Sequence, residues 1–247
     1  MITADDRLAA DLAGEAGARL LKLRAGGGDP GALRDAGDRL AHEFLAAELA
    51  RLRPGDAVLS EEGDDGPARL SARRVWIVDP LDGTREFGEP GRTDWAVHVA
   101  LWEDGELTAG AVALPAKDKV LSTAEPPASP PEPPSGTLRL VVSRSRPPAF
   151  MARLASGIGA ELVPLGSAGA KAAAVICGEA EGYVHSGGQY EWDSAAPVAV
   201  ALAAGLHASR IDGSKLAYNQ ADPSLPDILI CQAALAGRLL GAIGSVI

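Results

Sequence analysis

The sequence predicts an α/β fold, with an α+β first half and an α/β second half. Three observations carry this. The second half alternates short apolar runs with alanine-rich helical stretches, the rhythm of layered helices and sheets. The first half opens on amphipathic helical segments and continues in strands. Between them lies EPPASPPEPPSG (125–136), too rich in proline for a helix or a sheet ladder. The expected division is therefore 1–124, a linker or long surface loop at 125–136, and 137–247. No internal repeat is visible.

The elements follow in order. Leu8, Leu12, Ala16 and Leu20 stand four apart, an amphipathic helix over 5–24. AGGGDPG (25–31) breaks it. A second helix is expected from about Asp38, with Leu40, Phe44, Leu45 and Leu49 on one face and RLRPGD at its end. AVLSEEG reads as a short strand that delivers Glu61 and Glu62, and RRVWIVD as a β-rich run ending in charge. DWAVHVALW alternates, with Trp95, Val97, Val99 and Leu101 on one side. LTAGAVAL and KVLST read as its sheet neighbours. After the proline run, TLRLVVS, ELVPLG, EGYVHS, LHASR and DILICQAA read as strands. PAFMARLASGI, SAGAKAAAVICG, SAAPVAVALAAG and the C-terminal stretch read as helices.

Composition narrows the class of function. With 47% hydrophobic residues but 4% aromatic, the core must be built largely of Leu, Val and Ala. A net charge of -10 disfavours nucleic acid polymers and anionic membranes as partners. It leaves room for a small anionic substrate, since bound divalent cations reverse the local sign. No window approaches the ~20 apolar residues of a membrane span. The N-terminus lacks an apolar signal core, so a cytoplasmic location is expected. Cys177 and Cys231 are expected to be reduced thiols.

VWIVDPLDGTREF (75–87) carries the chemistry. Pro80 cannot continue a ladder, so the chain turns at the strand's end, and the turn can aim Asp79 and Asp82 into one pocket. Gly83 admits a close ligand, and a helical turn starting at Gly83–Thr84 would offer free N–H groups to an anion. Two carboxylates would repel that anion unless a hard cation lies between, and Mg²⁺ shared with a substrate phosphate is the usual arrangement. An Asx-type turn with solvated carboxylates satisfies the same spacing.

A resemblance separates the two readings. DPLDGT at a strand end, SEEG upstream and WDSAAP downstream resemble, in order and separation, the inositol monophosphatase superfamily of Mg²⁺-dependent, lithium-sensitive phosphatases. The likeness covers nearly the whole chain. It implies the layered αβαβα sandwich shared with fructose-1,6-bisphosphatase, with the site in the cleft between two halves. It implies two or three Mg²⁺ ions held by Glu61, Asp79, the Leu81 carbonyl, Asp82 and Asp193, with Glu62 helping a weaker third ion. Gly83 and Thr84 would bind the phosphate, and Glu61 and Thr84 would orient the attacking water. Asp38 matches the residue that holds this threonine, although it also reads as an N-cap of the second helix. Homodimers occur in the superfamily, but no patch here demands one.

VVSRSRPP and the Gly166-Ser167 pattern ending at Lys171 resemble the 3′(2′),5′-bisphosphate nucleotidase (CysQ-like) branch, which serves sulfur assimilation. The resemblance implies a small phosphorylated substrate, adenosine 3′,5′-bisphosphate. Arg144 and Lys171 would neutralise its second phosphate, and Ser143 and Ser167 would hydrogen-bond it or the ribose. Arg146 before Pro147 reads as a solvated loop charge. His185 reads as a ligand contact or a satisfied strand-end histidine, and Tyr183 and Tyr190 as core or base platform. Glu191 does not have the spacing associated with an inositol-binding acid. Arg85 departs from the asparagine common in relatives. A sugar phosphatase of the same superfamily stays open, as does a non-catalytic metal- or nucleotide-binding protein. A haloacid-dehalogenase-type site is disfavoured, because its aspartates stand two apart and here they stand three apart.

Overall fold

Thr3 starts the first helix. Its hydroxyl accepts the Asp6 N–H while the Asp6 carboxylate accepts the Thr3 N–H, a capping box. The computed structural model describes residues 2–63, 66–130 and 136–247, so residues 131–135 of the proline run lie outside the described residues. Helix α1 spans Ala4–Ala25. Helix α2 spans Pro30–Leu52, so it begins eight residues before the expected Asp38. The reason is local: Asp29 caps the N–H groups of Gly31 and Ala32, and Pro30 takes the first turn, where no donor is needed. DPG, read as part of a break, is a helix start. Asp38 therefore sits in the third turn, not at a cap.

Five strands follow: β1 (Ala57–Ser60), β2 (Arg74–Asp82), β3 (Ala96–Glu103), β4 (Glu106–Leu114) and β5 (Lys119–Ser122), with the short helix α3 (Thr84–Gly88) after β2. They lie in chain order in one sheet, β1 parallel to β2 and the rest antiparallel. The later chain runs β6 (Leu138–Ser143), α4 (Met151–Ile158), β7 (Ala160–Leu165), α5 (Ala168–Ile176), β8 (Gly182–Ser186), α6 (Glu191–Ala203), β9 (His207–Ser209), β10 (Asp227–Cys231) and α7 (Ala236–Gly244). Its sheet has the order β7-β6-β8-β10-β9.

Three apolar layers hold the sheets. Leu12, Leu20, Leu45 and Leu49 of α1 and α2 cover one face of the first sheet, against Trp76, Val78, Val97 and Val99. Helices α5 and α6 fill the space between the sheets, with Val175, Val198 and Val200 among Ile77, Val112, Tyr183 and Ile230. Helices α4 and α7 close the outer face of the second sheet through Leu154, Leu239 and Ile243. The order is α, β, α, β, α. Small residues permit the central packing. A Cβ on Gly110 of β4 would lie 2.6 Å from the Ala199 Cβ of α6. Gly110→Ala should therefore cost about 1–3 kcal/mol by overpacking, measured as a lower denaturation midpoint at an unchanged slope.

Cys231 is buried, which pushes its thiol up to about 12, and both cysteines are free. Among the described residues no helix is long and apolar enough to cross a membrane.

Candidate metal and phosphate site

Strand β2 is apolar through Val78 because it is buried on both faces. In a regular strand, residues three apart point to opposite faces. Here the pairing with β3 slips between Asp79, opposite His98, and Asp82, opposite Ala96. The bulge at Pro80–Leu81 turns both carboxylates to one side. Asp79 Oδ1 accepts the Leu81 N–H at 3.1 Å, so the Asx turn and the paired-carboxylate geometry coexist. Gly83, at φ 85°, then starts α3; this positive φ favours glycine. A Cβ there would lie 2.8 Å from Ser167, so the close approach requires glycine as well.

Asp193 arrives from the opposite side, in the first turn of α6, held by the Tyr190 N–H on Oδ2 at 2.7 Å. One oxygen each from Asp79, Asp82 and Asp193 lies within 4.8 Å of the others. Oxygen ligands at about 2.0–2.6 Å from a cation lie at most twice that apart, so this all-carboxylate set fits a hard divalent ion. Glu61, after β1, hydrogen-bonds to Asp79 and feels Asp193 and Asp82, while staying open to solvent. Glu62 lines a separate groove with Asp35, Asp38, Arg39 and His42.

The titration of the cluster follows from its crowding. Burial, then Glu61, Asp82 and Asp193, raises Asp79 well above the carboxylate range. Desolvation and the charges of Asp193, Asp82 and Glu62 raise Glu61 to about 7. Burial and Asp82 raise Asp193 to about 6. Asp82 goes the other way. Burial opposes its ionisation, but His98, Lys171 and the Gly169 N–H outweigh it and hold the carboxyl low. Glu61 and Asp193 thus keep protons that the unfolded chain releases near pH 4. Their contribution to the metal-free fold is complete below about pH 4 and is lost as pH rises through about 6 to 7. In EDTA the Tm should be lower near pH 8 than near pH 5, and Mg²⁺ should raise it more near pH 8. Equal Mg²⁺ shifts at both would refute this assignment.

Thr84 Oγ1 lies 3.2 Å from Asp38 Oδ1 and 3.0 Å from the Leu81 carbonyl, sharing its proton between them. Burial raises Asp38 to about 6 despite this bond. Beside the carboxylates is a cavity of about 260 Å³, walled by Gly83, Thr84, Arg85, Ser143, Ser145, Arg146, Gly166, Ser167, Lys171, His185 and Gln189 among others. Lys171 is buried, its ammonium donating to the Ser167 carbonyl at 2.8 Å and to Gly166. Burial holds it below the usual lysine range.

The expected residues divide clearly. Ser143, Gly166, Ser167, Lys171 and His185 share this cavity with Gly83 and Thr84. Arg144 does not line it. Its guanidinium pairs with Glu86 at 2.7 Å and with Glu89 at 2.7 Å, which latches β6 to α3. Arg146 is exposed in its loop, as read, and also lines the cavity. The sequence reading gave the phosphate role to Arg144 instead. Glu191 is buried and accepts the N–H groups of Asn219 and Gln220, supporting a loop instead of facing a ligand. Tyr183 is core, its hydroxyl accepting from Gln189 at 2.8 Å, while Tyr190 is exposed and stacked on Trp192. The reading missed His98. Its ring is fully buried, with Nδ1 3.0 Å from the Trp192 carbonyl and Nε2 3.2 Å from Asp82 Oδ2. A histidine between Ala96 and Ala100, on the face of DWAVHVALW opposite Trp95 and Val97, was the available clue.

Comparison with known proteins gives the family and the fold. A sequence profile of the inositol monophosphatase family matches residues 4–245. A 3′-phosphoadenosine 5′-phosphate phosphatase of Mycobacterium bovis is 56% identical over 93% of this chain and 89% of its own. The 3′(2′),5′-bisphosphate nucleotidase CysQ of Escherichia coli K12 is 33% identical over 74% of this chain and 78% of its own. The crystal structure of CysQ from Bacteroides thetaiotaomicron superposes with a TM-score of 0.81 at 26% identity, covering 93% of this chain and 97% of that one.

Proposed function

The chain belongs to the inositol monophosphatase family, and from that premise we propose that it is a Mg²⁺-dependent phosphatase that hydrolyses the 3′-phosphate of adenosine 3′,5′-bisphosphate, leaving AMP. The observation that carries the reading is the cavity beside the Asp79–Asp82–Asp193 cluster, whose lining includes Arg85, Arg146 and Lys171. A bisphosphate offers one phosphate to the carboxylate side and a second to these cations. The high identity to a relative of that name supports the same substrate.

Glu61, Asp79, Asp82, Asp193 and the Leu81 carbonyl would hold the metal. Bound Mg²⁺ supplies Lewis acidity toward the phosphate and lowers the pKa of its water. The chain's own residues do the rest. Thr84 gives its proton to Asp38 or Leu81, so the Oγ1 lone pairs are left to accept from a water and orient it. Glu61, which would also hold the metal, would orient the same water with Thr84. The N–H groups of Gly83 and Thr84 are placed to hydrogen-bond the phosphate oxygens. Lys171 and Arg146 position the far phosphate, with Ser143 and Ser145 beside them.

Phosphate release from adenosine 3′,5′-bisphosphate, inositol 1-phosphate and fructose 1,6-bisphosphate, each with Mg²⁺, tests this. The nucleotide should lead in kcat/KM by about 10- to 100-fold, the worth of one charged contact. Lys171→Met should remove most of that lead by raising KM. A preference for either sugar ester would refute the substrate assignment and leave the metal site standing.

A further inference from the structure

His98 is set among the metal ligands without being placed as one. It lies on β3, wholly buried, directly opposite Asp79 in the β2–β3 pairing. Its two ring nitrogens face oxygens that belong to different halves of the site. Nε2 is 3.2 Å from Asp82 Oδ2, and Nδ1 is 3.0 Å from the carbonyl of Trp192, the residue before Asp193. Asp82 is further fixed by the N–H groups of Ala168 at 3.1 Å and Gly169 at 2.6 Å, at the start of α5. The ring also dictates its neighbour. A Cβ on Gly169 would stand 2.2 Å from Nε2, so only glycine fits opposite the imidazole. Two elements, β3 and the start of α5, therefore converge on one carboxylate, and the histidine joins that carboxylate to the backbone that carries Asp193.

We propose that His98 is a positioning residue, a strut that sets the separation of Asp82 and Asp193 and thereby prepares both to share a divalent cation. The inference rests on the metal-site reading above. The physical warrant is that a ligating carboxylate free to rotate must be ordered when the ion binds, whereas one already held is ready. Neither the Thr84–Asp38 pair nor the phosphate wall touches this ring, so its effect falls on metal affinity and not on ester recognition.

The test is calorimetric titration of the EDTA-stripped protein with Mg²⁺, with melting in EDTA as a check that each variant is folded. The wild type should bind. His98→Ala should bind about 10- to 100-fold more weakly, the usual cost of losing a partner of a metal ligand. His98→Gln, whose amide reaches the place of Nε2 and Asp82 but loses the Trp192 carbonyl, should weaken binding about tenfold, as a strut cut at one end. KM for the phosphate ester at saturating Mg²⁺ should move by less than about threefold. If His98→Ala does not fold, His98→Asn replaces it. That variant keeps a donor for the Trp192 carbonyl but loses Asp82, and should still weaken binding about tenfold. Affinity of a folded His98→Ala or His98→Asn within twofold of wild type overturns the proposal. So does a folded His98→Gln that binds as tightly as the wild type. A wild type that binds no Mg²⁺ overturns the metal site itself, so the two failures are distinguishable.

Discussion

Asp193→Asn is expected to lower kcat/KM by about 10³-fold, the loss of several kcal/mol of charge stabilisation. Asp193 is the one member of the Asp79–Asp82–Asp193 group that comes from the later half of the chain. An amide keeps the volume and can still accept the Tyr190 N–H, so α6 retains its start. What disappears is a negative charge facing Asp82. Two further readouts follow. The melting temperature in EDTA should hold or rise, because a like-charge contact has been removed. The rise in Tm caused by Mg²⁺ should shrink sharply. Full activity in a folded Asp193→Asn protein would exclude this cluster as the reaction centre.

The second large effect is expected at Thr84. Thr84→Ala should lower kcat by about 10²- to 10³-fold with KM nearly unchanged, the pattern of an interaction that acts on the reacting water and not on substrate binding. Thr84→Ser should keep most of the rate, since its hydroxyl can reach Asp38 and the Leu81 carbonyl. Asp38→Asn should fall between the two, because an amide oxygen still accepts the Thr84 proton. A Thr84→Ala enzyme that loses only KM would reassign the hydroxyl to phosphate binding.

The α/β class and the Asp79–Asp82 pair were legible in short-range patterns, whereas the αβαβα order and the place of Asp193 came from the family resemblance. Strand VWIVD followed by PLDGT specifies a buried strand, a stop and a glycine turn within ten residues, and the bulge at Pro80–Leu81 carries out what that spacing requires. The start of α2 was misplaced because a glycine run and a D-P-G start signal overlap, and the break masked the cap. The second phosphate was assigned to Arg144, but it is Arg146 that lines the cavity. What decides between them is Glu86 and Glu89, some fifty-five residues earlier, which claim one guanidinium and leave the other to the cavity. His98 stayed hidden because its meaning lies in Trp192, ninety-four residues away, and in the face of β3 that it occupies.

The placement of α5 and α6 between the sheets has a consequence for how the chain is made. Every strand of the first sheet has been synthesised by residue 122, yet the helices that cover its inner face end only at Ala203. At roughly 5–20 residues per second, the nascent protein waits on the order of ten seconds with Val75, Ile77, Ala100 and Val112 uncovered and Asp79 and Asp82 without Asp193. That interval is when the polypeptide is most open to aggregation and most in need of a chaperone. Chains arrested before Glu191 should be captured by such factors, and the full-length chain, with β10 and α7 in place, should escape them.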